Sequence, residues 1–501
     1  MYPGSFAVKH LLPVMLLALG AACARKPLAI DKLQPCKSAD GPTDAYCGQL
    51  EVFEDRAAQT GRKIPLKILV LPGMSRENAP DPLFYLEGGP GGAATKKARF
   101  IRESFRQVQR DRDIVLVDQR GTGGSGPLNC KFTGDEDDTL SPEEAEKRGA
   151  EKLKQCLAGY KADVRLYTTS IAMDDLDDVR AFLGYDRINL YGISYGTRAS
   201  IEYVRRHGER VRSVVLDGVA PPDMRLPLYA ARDGQRALEL LLRDCARDAA
   251  CNQRFPGLGE RVNRTLARLR AKPEKIRVMH PRTGKEQQIE VRATMVAGVL
   301  FTAFYSSQVT SLIPLLIERA EAGDYRGLFA LGAQGDGMEE FMSTGMQMSV
   351  LCAEDWPKID NASIEREAAG TFMGPDIAKL RMKPCAYWPR NPVDAKFYEP
   401  LAADVPALIF SGEADPVTPP SWGEQIARQW KNSRHHVVTG IGHGTVETNG
   451  CVNRVASQFI KTASHNDLPT ACLARVKRPP FFLGPAGPDP GVNAAKEGAK
   501  P

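Results

Sequence analysis

No apolar stretch beyond residue 22 is long enough to cross a bilayer, no Cys-x-x-Cys pair occurs, and the basic residues never gather into a block. The first absence means that no later stretch reads as a transmembrane helix. The second, with Cys and His standing nowhere at zinc-finger spacing, excludes the common structural zinc modules and implies no metal or cofactor. The third argues against nucleic acid as a partner: the net charge of +6 is spread among acids, where binding would need a clustered basic face. Histidine is also sparse, with 7 in 501 residues, so a catalytic base has few candidates.

The chain does carry enough apolar residues, 43%, for a large core, and its length predicts a main domain with a second module. Lys9 and His10 precede an apolar run from Leu11 to Ala22 that ends in small residues, the pattern of an export signal over residues 1–24. Gly20-Ala21-Ala22-Cys23 resembles a bacterial lipobox, with Gly20 where leucine is usual, and predicts lipidation and membrane anchoring through Cys23. The alternative is ordinary cleavage at the small-x-small sequence Ala22-Cys23-Ala24. Ten further cysteines remain, an even number that suits an oxidising, periplasmic or secreted location. Paired as neighbours in sequence order they give Cys36–Cys47, Cys130–Cys156, Cys245–Cys251, Cys352–Cys385 and Cys451–Cys472, a connectivity that the sequence alone leaves open.

Short runs rich in β-branched residues alternate with helical patterns, which predicts an α/β fold with a mostly parallel sheet. Five such runs end in glycine-containing turns: Leu83–Leu86 before Glu87-Gly88-Gly89-Pro90-Gly91-Gly92, Asp113–Val117 before Asp118-Gln119-Arg120-Gly121, Ile188–Tyr191 before Gly192-Ile193-Ser194, Val211–Leu216 before Asp217-Gly218, and Ala407–Phe410 before Ser411-Gly412-Glu413-Ala414-Asp415. Open parallel sheets bind ligands at the carboxyl ends of their strands, so these turns are expected to converge. The sequence divides into a first core part over 25–220, a helical cap over 221–400, a second core part over 401–477 and a flexible tail over 478–501. The cap expectation rests on helical spacing of Ala237, Leu238, Leu241 and Leu242, and of Leu312, Leu315 and Leu316. Met338, Met342, Met346 and Met348 read as cap packing.

Gly192-Ile193-Ser194-Tyr195-Gly196 stands between a predicted strand and a predicted helix, Thr197 to His207, the context of a nucleophile elbow. Serine needs a base. His443, in Gly440-Ile441-Gly442-His443-Gly444 after the last predicted strand, can reach over the strand ends. Asp415 follows a strand between the two and gives the order Ser, Asp, His, with Glu413 as rival acid. The turn Glu87–Gly92 lacks a Walker lysine and reads as an oxyanion-hole loop, with Gly89 and Tyr195 supplying backbone N–H donors.

Taken in order, Gly88-Gly89-Pro90-Gly91-Gly92, Asp118-Gln119-Arg120-Gly121-Thr122-Gly123, Gly192-Ile193-Ser194-Tyr195-Gly196-Thr197, Gly412-Glu413-Ala414-Asp415-Pro416-Val417-Thr418-Pro419 and Gly442-His443-Gly444 resemble the proline iminopeptidase and tripeptidyl aminopeptidase branch of the α/β-hydrolases. The resemblance covers about residues 60–220 and 400–475. It implies an α/β-hydrolase fold and a serine exopeptidase that releases amino acids or short peptides from free N-termini. The chain departs from the branch at Glu87, where proline iminopeptidases usually carry histidine, which leaves substrate choice open. The resemblance also implies that a cap acid beside a cysteine, Glu354 or its neighbour Asp355 in Ser349-Val350-Leu351-Cys352-Ala353-Glu354-Asp355-Trp356, binds the substrate's α-ammonium. The competing readings are an esterase or lipase on the same fold and a catalytically silent hydrolase-fold binding protein.

Overall fold

The computed structural model describes residues 32–75, 77–130, 142–281, 283–333 and 341–488. The predicted export signal and Cys23 lie outside them, as does Met338.

Nine strands among the described residues form one sheet. In chain order they are β1 (Gln34–Ser38), β2 (Gly41–Phe53), β3 (Lys63–Leu71), β4 (Leu83–Leu86), β5 (Ile114–Val117), β6 (Ile188–Ile193) and β7 (Val211–Asp217). Two further strands form a separate hairpin, β8 (Glu274–Met279) and β9 (Glu286–Val291), and the main sheet is completed by β10 (Ala407–Gly412) and β11 (Ser433–Val438). The spatial order is β1-β2-β3-β5-β4-β6-β7-β10-β11. β5, β4, β6, β7, β10 and β11 run parallel, and β1 to β3 join antiparallel at one edge.

The parallel strands β4, β5, β6 and β10 are buried at every position, as expected of short apolar runs covered by helices on both faces. Their register aligns the functional turns. Leu86 pairs with Gly192 and Ile193 with Asp217, while Phe410 pairs with the same Asp217. Glu87, Ser194, Gly218 and Glu413 therefore leave the sheet along one edge.

Residues 221–400 are mostly helical and pack over that edge, with two corrections to the sequence reading. They contain the β8–β9 hairpin, whose alternating exposure hid it among polar residues. They also do not share one core. The stretch 230–331 builds a cluster around Phe255, Leu300 and Tyr325, whereas Met348, Cys352, Met382 and Trp388 join the core of the main sheet. The tail expected from residue 478 is corrected as well. Phe481 is buried in the cap cluster, the Arg478 guanidinium stacks 3.5 Å from its ring centroid, and the Phe482 N–H donates to the Ser311 carbonyl. Composition misled here because a single buried aromatic anchors a Pro- and Gly-rich segment. Residues 489–501 lie outside the described range.

Ten cysteines stand as five disulfides, Cys36–Cys47, Cys130–Cys156, Cys245–Cys251, Cys352–Cys385 and Cys451–Cys472, with Cα separations of 5.0–5.9 Å.

Candidate active site

Ser194 sits at the end of β6 and caps the helix Tyr195–His207 with φ +56° and ψ −126°, a conformation that few residues adopt without support from their surroundings. The support is visible. A Cβ on Gly192 would lie 2.3 Å from the Gly196 carbonyl oxygen, and one on Gly196 would lie 2.1 Å from that of Leu86. Only glycine at both places lets strand and helix close on the serine. The Ser194 N–H donates to the Asp217 carbonyl at 3.0 Å, and its carbonyl accepts from the Thr197 N–H and hydroxyl at 2.8 and 2.6 Å. Ser194 thus projects at the head of a helix whose dipole favours negative charge.

His443 reaches the same edge from the loop after β11. Its Nδ1 lies 2.7 Å from Asp415 Oδ2, and Asp415 has no solvent exposure. The acid is fixed by the N–H groups of Val417 and Thr418 at 2.8 and 2.9 Å and by the Thr418 hydroxyl at 2.6 Å. Burial alone would depress the imidazole, yet the Asp415 charge and hydrogen bond, with Asp217 and Glu447 beyond, hold His443 above its ordinary value. Burial would likewise raise Asp415, but His443 and Thr418 hold it below the usual carboxylate value. Glu413 points elsewhere: it accepts from the Gly440 N–H at 3.0 Å and pairs with Arg243. Ser194 Oγ and His443 Nε2 make no hydrogen bond to each other, a contact that in unliganded enzymes often tightens only with substrate.

The turn Glu87–Gly92 backs onto the serine. A Cβ on Gly88 would stand 3.1 Å from Ser194 Cβ. Among the described residues the N–H groups of Gly89 and Tyr195 have no acceptor, so both remain available to a ligand oxygen.

Several groups at the site had no role in the sequence reading. Asp217 ties Ser194 to the segment that follows His443. Its backbone carbonyl takes the Ser194 N–H, while its carboxylate takes the N–H groups of Thr445 and Val446 and the Thr445 hydroxyl at 2.7–2.9 Å. An acid at the end of a buried strand was the available signal. Glu87 and Glu447 share Lys97, at 2.9 and 3.7 Å, and both lie within hydrogen-bond reach of the Tyr85 hydroxyl, whose one proton serves either. Glu87 also holds the Gly88 N–H at 2.9 Å, so this cluster links the glycine turn to the helix that follows His443. Burial raises the Glu447 carboxyl to about 7 against the pull of Lys97 and with the push of Glu87. Nothing in the local sequence pairs residues 350 positions apart. The cap supplies Tyr305, whose carbonyl accepts the His443 N–H at 3.0 Å and whose ring lies 5.1 Å from the imidazole.

Glu354 and Asp355 require correction. They are not in contact with the cavity beside the serine. Asp355 binds Arg198, four residues after Ser194, through both oxygens at 3.0 and 3.2 Å, and accepts the Leu226 N–H. Glu354 accepts from the N–H and hydroxyl of Thr169 at 2.7 and 2.9 Å and lies 3.4 Å from the same guanidinium. Burial raises Glu354 to about 7 despite Arg198. Both carboxylates are buried against donors inside the protein and neither lines the cavity, so an incoming ammonium does not meet them there.

The cavity itself has a volume of about 730 Å³. Gly89, Pro90, Val417, Phe301, Tyr305 and Met348 are among its lining residues, while Ser194 and His443 adjoin it through Gly88–Gly89 and Tyr305. Among the described residues no group of His, Cys, Asp and Glu could hold a metal ion.

A strained serine at a strand–helix turn, a buried acid on an imidazole and two open N–H donors at the carboxyl edge of a parallel sheet define a hydrolase of the α/β class. The chain belongs to the α/β-hydrolase fold family, whose profile matches residues 81–449, and it is an enzyme. It is similar to a protein named serine protease Hip1 from Mycobacterium tuberculosis, 26% identical over 463 residues, covering 85% of this chain and 88% of that one. It is similar to a tripeptidyl aminopeptidase from Streptomyces lividans, also 26% identical, over 86% of this chain and 84% of the relative. A proline iminopeptidase from Neisseria gonorrhoeae is 30% identical over 140 residues, 28% of this chain and 32% of its own length.

Proposed function

We propose that the protein is an exported serine exopeptidase that releases amino acids or short peptides from free N-termini. Ser194 Oγ attacks the scissile carbonyl carbon and passes its proton to His443 Nε2. Asp415 holds the imidazole tautomer and stabilises the imidazolium without taking the proton. The N–H groups of Gly89 and Tyr195 bind the oxyanion. The C–N bond breaks as His443 returns the proton to the leaving amine, and a water activated by the same histidine hydrolyses the acyl-enzyme.

The observation that carries this reading is the backbone of Ser194 at φ +56°, with Asp415-bound His443 over the same strand edge. The names of the relatives support peptide substrates. The cavity, of a size that encloses a small ligand rather than a folded domain, supports action at a chain end. Five disulfides support an oxidising compartment, in keeping with export and with anchoring through Cys23.

One observation favours the esterase reading: the acids expected to meet an ammonium are enclosed, and the cavity wall is largely apolar. The experiment is a comparison of unblocked tripeptide p-nitroanilides, their N-acetylated forms and short-chain p-nitrophenyl esters. The exopeptidase reading expects turnover of the free-amine anilides and loss of it on acetylation. Rapid ester hydrolysis with inert anilides would replace it with the esterase. Failure of a fluorophosphonate to label Ser194 would leave only the silent binding protein.

A further inference from the structure

The cavity holds three charged side chains among its described walls: Glu146, Arg381 and Lys383. Lys383 is paired with Glu146. Arg381, in the helix Asp376–Met382, is exposed to the cavity and has no hydrogen-bond or ion-pair partner among the described residues. The surroundings are apolar: Pro227, Ala230, Phe301 and Ile377 line the recess next to it. The same cavity extends to the candidate oxyanion-hole residue Gly89. Tyr305 lines the same cavity as Arg381. The same Tyr305 ring packs against His443. One cavity therefore carries both this guanidinium and the tyrosine that packs on His443.

A guanidinium beside an apolar recess presents a planar fork of donors that matches a carboxylate in two parallel bonds. A ligand that fills the cavity displaces water from around Arg381, which strengthens attraction to an anion and penalises a cation. The acid that could soften this selection is held by Lys383, and the cap acids Glu354 and Asp355 are bound to Arg198.

We infer that Arg381 is a specificity-determining residue that selects substrates carrying a carboxylate in the segment held by the cavity, close to the bond that is cut. The inference rests on the proposed use of Ser194 and His443 at this cavity, and it names the substrate class: short peptides with an acidic residue near the scissile bond.

The test uses tripeptide p-nitroanilides and the matching p-nitrophenyl esters with Glu, Gln or Lys placed at each of the three positions. The wild-type enzyme is expected to favour Glu over Lys by about tenfold or more in kcat/KM at one position. Arg381→Gln should erase that order and Arg381→Glu should reverse it. Because the side chain is exposed, the unfolding midpoint should not move. Titration of the Glu, Gln and Lys tripeptides varied at that position, as C-terminal amides, into the Ser194→Ala variant and its Arg381→Glu double variant reads the same order without turnover. Turnover of esters alone would remove the peptidase reading while the charge order stood. A wild-type preference for Lys, or an order untouched by Arg381→Glu in both turnover and binding, would overturn the inference.

Discussion

Arg198 and Asp355 form a two-bonded ion pair in which the arginine side chain has no solvent exposure and the aspartate 1%. It joins the helix that begins at Ser194 to the cap segment Leu351–Asp355, and Glu354 adds Thr169 to the same knot. Removing one partner of a buried pair leaves the other charge without compensation, at about 3–5 kcal/mol. Asp355→Ala is expected to lower stability by that amount in denaturant unfolding. Glu354→Gln is expected to depress hydrolysis of free-amine peptides and of simple esters alike, because it loosens the elbow helix. A loss confined to free-amine substrates would restore Glu354 to the ammonium site.

The triad assignment separates Asp415 from Glu413. Ser194→Ala should cut kcat by about 10⁶-fold, in line with serine-protease knock-outs, with the fold preserved by circular dichroism. Asp415→Asn should cost about 10⁴-fold through the wrong imidazole tautomer. Glu413→Gln should leave turnover within a few-fold, since that side chain meets only Gly440 and Arg243. The reverse ranking of the two acids would reassign the role.

In the proposed mechanism His443 works as base only when neutral. A His443 held above its ordinary value loses activity as pH falls through a point higher than about 6.5. The acid limb of the kcat/KM profile is therefore expected above that pH. In Asp415→Asn the residual activity should show the limb displaced downward, because the group that raises the imidazole is gone. A limb that stays in place in the variant would assign it to another group, with Glu447 the first to examine.

Intact mass before and after reduction and alkylation should count ten paired cysteines and no free thiol apart from Cys23 where that residue is retained. Cys352–Cys385 closes a loop with a sequence separation of 33 and fastens the segment that carries Asp355. Replacing both cysteines by serine is expected to cost about 3–4 kcal/mol by the loop-entropy argument. Calorimetry of the double variant measures it, and an unchanged midpoint would show that the segment is held by Arg198 alone.

The sequence by itself determined the sheet and the residues proposed for the chemistry on its edge. β4, β5, β6, β7 and β10 follow from short apolar runs ended by glycine turns. Ser194, Asp415 and His443 follow from the local demands of an elbow, an acid after a strand and a histidine in a glycine loop, all written in contiguous residues. The antiparallel strands β1 to β3 were less legible because edge positions such as Lys37 and Asp44 break the apolar alternation. Tertiary structure alone decided which charges meet. Asp217 bridging Ser194 and Thr445, Lys97 shared by Glu87 and Glu447, and Arg198 closing on Glu354 and Asp355 all pair residues distant in sequence. An acid reads the same in a sequence whether it faces a ligand or a buried arginine. The difference is a matter of desolvation and of the donors the fold brings to it, and the chain sets both only when the cap closes on the sheet.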